Sequence, residues 1–360
     1  MISTEELSTN RHSSVPGISE SASSLDKSRS ALQQISRHPK LSFSDGNLAI
    51  VCGKQYFLVH QGLLSRHSPL LATATESLDP ATTPMIEGRP VLDLAEDADD
   101  MYFFLTALYD GIGGLTVRPD TFECVSALLR LSKKYEVQHV HDGLYPGLTT
   151  MWPRTLEGWE RREAASTNAE GIYEPRLTIP HPIPTINLAR SIGALELLPS
   201  AFYDLCRASP SDAASGHVSL TTGKKHELGN EDLMEVLKGR EHASRFLSTF
   251  IVRYLEGRAP SPNCLYAQRQ DPVLRRACQA AFEAVTFDIL RDVNGVVVHR
   301  SSDPLFAMLD ADLMQARADT PAFRTCEACH EEFGLVVDAA RDEFWRIMPK
   351  WFGLDVPGWD

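Results

Sequence analysis

The residues best suited to chemistry are cysteines in the C-terminal half of the chain. Cys326 and Cys329 are separated by two residues, a spacing that supplies two of the four ligands of a tetrahedral zinc site. Cys264 and Cys278 are candidates for the other two ligands, and His330 is a spare imidazole. Cys326 and Cys329 also lie on the apolar stripe of a predicted helix, where buried cysteine commonly acts as a small hydrophobe. The spacing therefore leaves two interpretations open, a zinc site formed by these four cysteines and a set of buried thiols that hold no metal.

The motifs of nucleotide binding and of hydrolysis are incomplete or missing. Segment 111–116 is rich in glycine, but it follows a predicted helix and lacks the third glycine of a dinucleotide fingerprint. Segment 222–225 lacks the first glycine and the Ser/Thr of a P-loop, and neither G-x-S-x-G nor H-E-x-x-H occurs. The sequence therefore predicts a protein that is not an enzyme, with zinc as its one candidate cofactor. The alternative is a metal-dependent enzyme that uses the cysteines and histidines of the C-terminal half.

Two other groups of polar residues have simple structural interpretations. His60 ends a predicted strand and precedes a predicted helix, where an imidazole can satisfy free backbone groups. The acidic residues of segment 96–100 can bind a cation, but they also stand at a predicted helix start, where negative charge interacts favourably with the helix dipole.

The composition limits the classes of partner. The chain has 360 residues, of which 43% are hydrophobic, and its net charge is −13. Nucleic acid and anionic membrane both require a basic protein surface, so neither is an expected partner. The seven cysteines are odd in number and widely spread, and the N-terminus lacks a basic-then-apolar signal sequence. These features predict a reducing compartment, the cytosol or the nucleus.

Residues 41–150 carry the elements of an α+β domain. Segments 47–52 and 55–59 are almost wholly apolar and flank Gly53-Lys54, which suits a two-residue type II′ hairpin turn. Segment 90–94 is a third predicted strand. Apolar stripes then predict helices over 99–109, 120–135 and 137–149.

These residues resemble the BTB/POZ family. Segment 57–69, Phe-Leu-Val-His-Gln-Gly-Leu-Leu-Ser-Arg-His-Ser-Pro, is similar to its central motif, in which a strand ending in Val/Ala-His is followed by a helix, Leu and Ser-Pro. Asp-Gly-Asn at 45–47 and an apolar strand precede it. Strand 91–94, a helix and Leu-Tyr-Asp-Gly at 108–111 follow it, and Leu-Leu-x-Leu-Ser-x-Lys-Tyr at 128–135 resembles the "LLxLAxKY" helix of the family.

The resemblance covers about 41–150, and it implies both a fold and partners. Segments 37–40 and 45–47 look especially like BTB proteins of fungi, which often have a helical C-terminal half. The implied fold is a BTB/POZ-like helical cluster capped by a small three-stranded sheet, followed by an all-α C-terminal domain. The implied function is protein binding by a homodimer that acts as a cullin ubiquitin-ligase adaptor or a transcription-associated scaffold. The family's usual aromatic residue after Ser-Pro is replaced here by Leu70 and Leu71.

Two short segments resemble partner-binding elements of the family. Met85 and Glu87, in the predicted loop before the third strand, are similar to the hydrophobic-x-Glu element that some BTB proteins offer to a cullin scaffold. Leu32 and Ile35 belong to a predicted short helix that resembles the N-terminal helix exchanged in some BTB dimers. The same segment can also be a transient helix in a tail.

The whole chain divides into four predicted segments. Residues 1–40 contain eleven serines and few large apolar residues, so they are expected to be disordered. Residues 41–150 form the BTB/POZ-like domain, 151–182 a helix and a Pro-rich linker, and 183–360 a helical domain with predicted helices near 230–254, 271–290 and 320–348. Direct DNA binding by the helical half is a further possibility, although that half is itself acidic.

Overall fold

The structure, a computed structural model, describes residues 35–79, 81–169, 172–291, 302–317 and 324–359. It combines α-helices and β-strands, and the chain divides into two units, Met1–Tyr109 and Asp110–Asp360. The strands are β1 (Ser36–Arg37), β2 (Leu48–Cys52), β3 (Gln55–Val59), β4 (Met85–Ile86), β5 (Arg89–Asp93), β6 (His217–Val218) and β7 (Lys225–His226). The helices are α1 (Gln61–His67), α2 (Pro69–Glu76), α3 (Ala98–Asp110), α4 (Phe122–Lys134), α5 (Gln138–Met151), α6 (Leu156–Ala165), α7 (Pro182–Ile192), α8 (Leu198–Cys206), α9 (Pro210–Ser215), α10 (Asn230–Phe250), α11 (Pro272–Arg291), α12 (Pro304–Arg317) and α13 (Glu327–Trp351).

The sheet of the first unit is built around an apolar hairpin. Strands β2 and β3 pair antiparallel, and the predicted two-residue turn joins them, with Gly53 at a φ of 58°. Strand β5 pairs parallel to β2, and the two-residue strands β1 and β4 lie at the edges, in the order β1-β3-β2-β5-β4. Every residue of β2 is buried, as the run of apolar residues predicts for a strand covered on both faces.

The helices of the first unit follow their sequence signals. Ser68 accepts a hydrogen bond from the Leu71 N–H at 3.0 Å and caps α2, which begins at Pro69. Asp97 accepts hydrogen bonds from the N–H groups of Asp99 and Asp100, so the acidic segment begins α3 as expected. The predicted apolar stripe of α3 is buried.

The second unit is mainly helical. Helices α4 and α5 lie close to the predicted bounds, and α10 begins at Asn230 and continues into a π-helical turn at Ile251–Leu255. The long helix α13 buries Phe333, Val337 and Phe344, which belong to its predicted stripe. A hairpin of β6 and β7 interrupts the helices, and Gly223 in its connecting loop has a φ of 70°.

Four expectations need correction. The first sheet has five strands rather than three, because β1 and β4 are too short to produce a hydrophobic period, and Met85 therefore lies in a strand rather than a loop. The C-terminal half contains the β6–β7 hairpin and is not all-α. Residues 35–40 are ordered, since β1 pairs with β3, while the rest of the predicted tail, including Leu32, lies outside the described residues. Helix α13 begins at Glu327, not near residue 320.

A helix that spans a bilayer needs about 20 consecutive and predominantly apolar residues. None of the helices in the part of the chain that the structure describes is long and apolar enough to cross a membrane.

Candidate metal centre

Four cysteine side chains converge in the second unit. The Sγ atoms of Cys264, Cys278, Cys326 and Cys329 all lie within 4.8 Å of one another, and all four residues are buried. The Sγ of Cys264 is 3.6 Å from that of Cys278 and 3.8 Å from that of Cys326. A tetrahedral metal ion with bonds of about 2.3 Å to sulfur separates its ligands by about 3.8 Å. The four thiols are therefore arranged in a way that could hold a metal ion.

Three different parts of the chain supply these cysteines. Cys264 lies in the irregular segment 256–271 that follows the π-helical turn, and Cys278 lies on the buried side of α11 with Ala281 and Phe282. Cys326 is the N-cap residue of α13 and Cys329 lies in its first turn. The partial positive charge at a helix N-terminus favours thiolate there.

Backbone N–H groups are directed at the sulfur atoms. The N–H of Ser261 donates to the Sγ of Cys329 at 3.3 Å, that of Leu265 to Cys326 at 3.4 Å, and that of Cys326 to Cys278 at 3.2 Å. Such donors stabilise negatively charged sulfur in a site that excludes water.

The ionisation of three of the thiols differs accordingly. Burial opposes the thiolate form, but N–H donation from Cys329 and Leu265 lowers the pKa of Cys326 to about 7. Burial raises the pKa of Cys329 to about 12 and that of Cys278 further still. In the absence of a metal, a thiolate at Cys326 is therefore compatible with neutral thiols at Cys278 and Cys329. A metal ion would supply the positive charge that these two thiols need in order to ionise.

Three further residues singled out in the sequence, Met85, Glu87 and His60, lie in the first unit. Met85 is 54% exposed at the sheet edge. Glu87 follows it with a φ of 49°, and its carboxylate accepts a hydrogen bond from the Tyr56 hydroxyl at 2.6 Å. His60 lies between β3 and α1, the position expected for it. Its Nδ1 is 2.9 Å from the Tyr109 hydroxyl and its Nε2 is 3.4 Å from Asp45.

Sequence reasoning missed a buried ionic cluster in the second unit. Arg162 contacts Glu163 and Asp204 at 2.7 and 2.6 Å, and Arg207 contacts Glu163, Asp204 and Asp303 at 2.6 to 2.8 Å. Burial would raise the pKa of Asp204, but the surrounding arginines hold it well below its usual range. The residues come from α6, α8 and the start of α12, and no local sequence pattern indicates that they meet. Because positive and negative groups are paired throughout, we interpret the cluster as structural.

Comparisons of the chain with protein-family models, with curated proteins and with solved structures found no match.

Proposed function

We propose that this chain is a non-catalytic interaction protein. Its N-terminal region is a BTB/POZ-like scaffold that forms a homodimer, and its helical half binds a partner and is held together by a structural zinc ion. The observation that carries the zinc assignment is the convergence of four buried thiols at the spacing of a tetrahedral site.

The order of the N-terminal elements supports the scaffold. A buried hairpin of β2 and β3 is followed by the short helices α1 and α2, and then by β5, which returns to pair beside β2. Helix α3 and the pair α4 and α5 come next. The motifs by which the sequence resembles the BTB/POZ family follow one another in this same order. A homodimer is the assembly that the resemblance implies, and two-fold dimers are the commonest soluble oligomers.

The donor set supports a structural role for the metal. A catalytic zinc ion keeps one coordination position open for water or substrate, whereas four cysteines close the coordination shell. Four thiolates also exclude the hard cations Mg²⁺ and Ca²⁺, which prefer oxygen ligands. The two Sγ–Sγ distances of 3.6 and 3.8 Å fit the ligands of a single ion. Because four thiolates are a common donor set of structural zinc, zinc is the metal we assign.

The metal is tested by elemental analysis of the full chain purified without chelator. We expect one zinc per chain, and loss of at least about 90% of it in Cys264→Ser, because three remaining thiolates hold structural zinc poorly. Cys124→Ser, which removes a thiol outside the cluster, is the matched control and keeps its zinc. Metal-free wild-type protein, or equal zinc in both variants, would refute the assignment.

The assembly is tested by size-exclusion chromatography with light scattering. We expect the full chain to elute with twice its mass of 39.9 kDa at micromolar concentration. A single-chain mass up to about 100 μM would exclude the homodimer, since stable interfaces have dissociation constants well below that value.

The pathway is tested by purification of the protein with its partners from its native cells. We propose a cullin-adaptor role, supported by the exposure of Met85 at the sheet edge. Wild-type protein is then expected to retain a cullin, and Met85→Asp is expected to lose it while keeping its dimer mass. Retention of transcription factors without a cullin would favour the transcription-associated scaffold.

A further inference from the structure

A small cavity opens in the second unit beside the β6–β7 hairpin. Its volume is about 220 Å³, and its apolar lining includes Phe122 and Ile179, which are 4% and 2% exposed. The rings of His181 and His217 form one wall, stacked with their centroids 4.0 Å apart and their planes 7° from parallel. We call this cavity the hairpin pocket. Because of its apolar lining and its stacked imidazole rings, the hairpin pocket offers flat and mainly apolar surfaces to an occupant.

The charged side chains at the pocket are already paired. Arg176 contacts Asp204 at 2.7 Å, and Glu123 contacts the Nε2 of His226 at 2.6 Å. Asp120, at the rim, contacts Arg118 at 3.1 Å. A charged occupant would have to lose its hydration without gaining an unpaired counter-charge, which is unfavourable.

The two stacked histidines are also uncharged near neutral pH. Burial, together with the positive charge of Arg176, lowers the pKa of His181 to about 3. Burial and the neighbouring His226 lower that of His217. The wall that they form is therefore an aromatic surface with hydrogen-bonding nitrogen atoms and no net charge.

The size and the rim of the pocket indicate the kind of occupant. Sites for drug-sized molecules commonly have volumes of about 300–1,000 Å³, so this pocket suits one large side chain better than a cofactor. Leu220 in the hairpin loop lines the pocket and is 99% exposed. A partner that covers this side chain would remove its apolar surface from water, which favours binding. Tryptophan, tyrosine and arginine are the residues most often anchored in such pockets, and of these only tryptophan and tyrosine are uncharged.

We infer that the hairpin pocket binds one uncharged aromatic side chain, Trp or Tyr, presented by a partner protein. The ring would lie against the imidazoles of His181 and His217, while Leu220 covers it from the rim. The inference rests on the proposed function, because it assigns the helical half its partner-binding site.

The probe for this site is N-acetyl-tryptophanamide, added to full-length protein labelled with ¹³C at its histidine rings. We expect the ring signals of His181 and His217, assigned from His181→Gln and His217→Gln, to shift with a dissociation constant on the order of 1 mM, as befits a ligand of this size. N-acetyl-lysinamide and benzoate, which carry a charge, are expected to produce no saturable shift.

Two surface variants distinguish this pocket from non-specific binding. Leu220→Asp is expected to weaken binding at least about fivefold, because it places a charge beside the bound ring. Leu335→Asp changes an equally apolar residue, 72% exposed on α13 and outside the pocket, and is expected to leave binding unchanged.

Several results would overturn the inference. One is the absence of a shift at the ring signals of the two histidines, and another is equal affinity of the two variants for the tryptophan derivative. A third is binding of benzoate as tight as that of the tryptophan derivative, which would assign the pocket to small organic acids. Zinc content and dimer mass are measured on the same samples. A failure confined to the pocket therefore leaves the proposed function intact.

Discussion

At the scale of single residues, Arg207 is a buried cation with several charged neighbours. Its guanidinium is buried, contacts three carboxylates and lies 4.9 Å from the ring centroid of Trp159. Burial alone would raise the pKa of the Asp204 carboxyl, and the arginines that face it hold that pKa well below its usual range. Removing one arginine therefore leaves uncompensated buried charge, which costs more than the pair itself contributes.

Arg207→Met retains much of the side-chain volume but removes the charge. We expect it to lower the free energy of unfolding by about 3–5 kcal/mol, measured by urea denaturation at pH 7. Arg161→Met is the matched control. It breaks an ion pair with Glu157 in which both side chains are at least 75% exposed, and it is expected to cost about 0.5 kcal/mol or less. Similar losses in the two variants would show that the buried cluster is not specially stabilising.

His181 provides a second prediction at this scale. Its pKa is about 3 in the folded chain, against 6.5 for an exposed histidine, chiefly because of burial. The unfolded chain therefore binds a proton between pH 6.5 and 3 that the folded chain does not, and stability falls as the pH decreases through that window. We expect the wild type to lose about 1–2 kcal/mol more than His181→Asn between pH 7 and pH 5, measured by urea denaturation.

Asparagine is the appropriate replacement because the Nδ1 of His181 accepts the Ile183 N–H and caps α7. Its side-chain oxygen can accept the same hydrogen bond without titrating. Equal losses of stability in wild type and variant would show that His181 is not the titrating group.

The cysteine cluster shows how far a sequence determines a site. The spacing of Cys326 and Cys329 identified one half of the cluster, and Cys264 and Cys278 were the correct candidates for the other half. Their convergence depends on the packing of α11 against neighbouring segments, which no local pattern encodes.

The prediction for helix α13 was also wrong at the start of the helix. Cys326 is buried, but it is the N-cap residue and precedes the helix. The sulfur atoms of Cys326 and Cys329 can therefore both lie in the cluster.

At the scale of elements, α10 packs closely against the chain end that follows α13. This packing depends on a glycine, Gly239, which has no side chain. A Cβ atom added to Gly239 would lie 1.9 Å from the Cε1 of Phe352, a ring that is 1% exposed. The phenyl ring therefore occupies the space that any larger residue at this position of α10 would need.

Gly239→Ala is expected to reduce stability by about 1–3 kcal/mol, because the buried ring or the helix must move to admit the methyl group. Gly62→Ala, on α1, is the control, since its added Cβ has no atom within 4 Å. It is expected to be neutral or to stabilise the chain by up to about 1 kcal/mol. Thermal unfolding of the two variants measures both effects, and a stabilised Gly239→Ala would contradict the packing argument.

The elements that sequence reasoning missed are the short ones. Strands β2, β3 and β5 and helices α3 to α5 contain enough apolar residues to show a period, and they were predicted close to their observed bounds. Strands β1, β4, β6 and β7 contain two residues each, too few to show a hydrophobic period, and β1 also depends on β3 for its pairing. Segment 222–225, noted only as an incomplete P-loop, contributes to the β6–β7 turn and to β7.

At the scale of the whole molecule, the cysteine cluster joins parts of the second unit that are distant along the chain. The contact between the Sγ atoms of Cys264 and Cys326 spans 62 residues, and the N–H of Cys326 reaches the Sγ of Cys278 across 48 residues. A metal ion bound by these residues would close loops of this length, and such closure restricts the unfolded chain. The first unit has its own buried sheet, with Ala49, Leu58 and Val91 in one apolar cluster.

If the cysteine cluster holds the zinc ion that we propose, removal of that ion is expected to loosen the second unit selectively. When the chain is treated with a zinc chelator, we expect hydrogen exchange, followed by mass spectrometry, to become at least about tenfold faster in peptides covering 261–282 and 326–337. Binding of structural zinc contributes directly to local folding energy, and its loss raises the population of the open state. Peptides covering 48–59 and 101–108 serve as the internal control and should exchange at an unchanged rate. Uniform acceleration along the chain would instead show that the metal stabilises the whole molecule, and no acceleration near the cysteines would show that their packing alone holds the segments together.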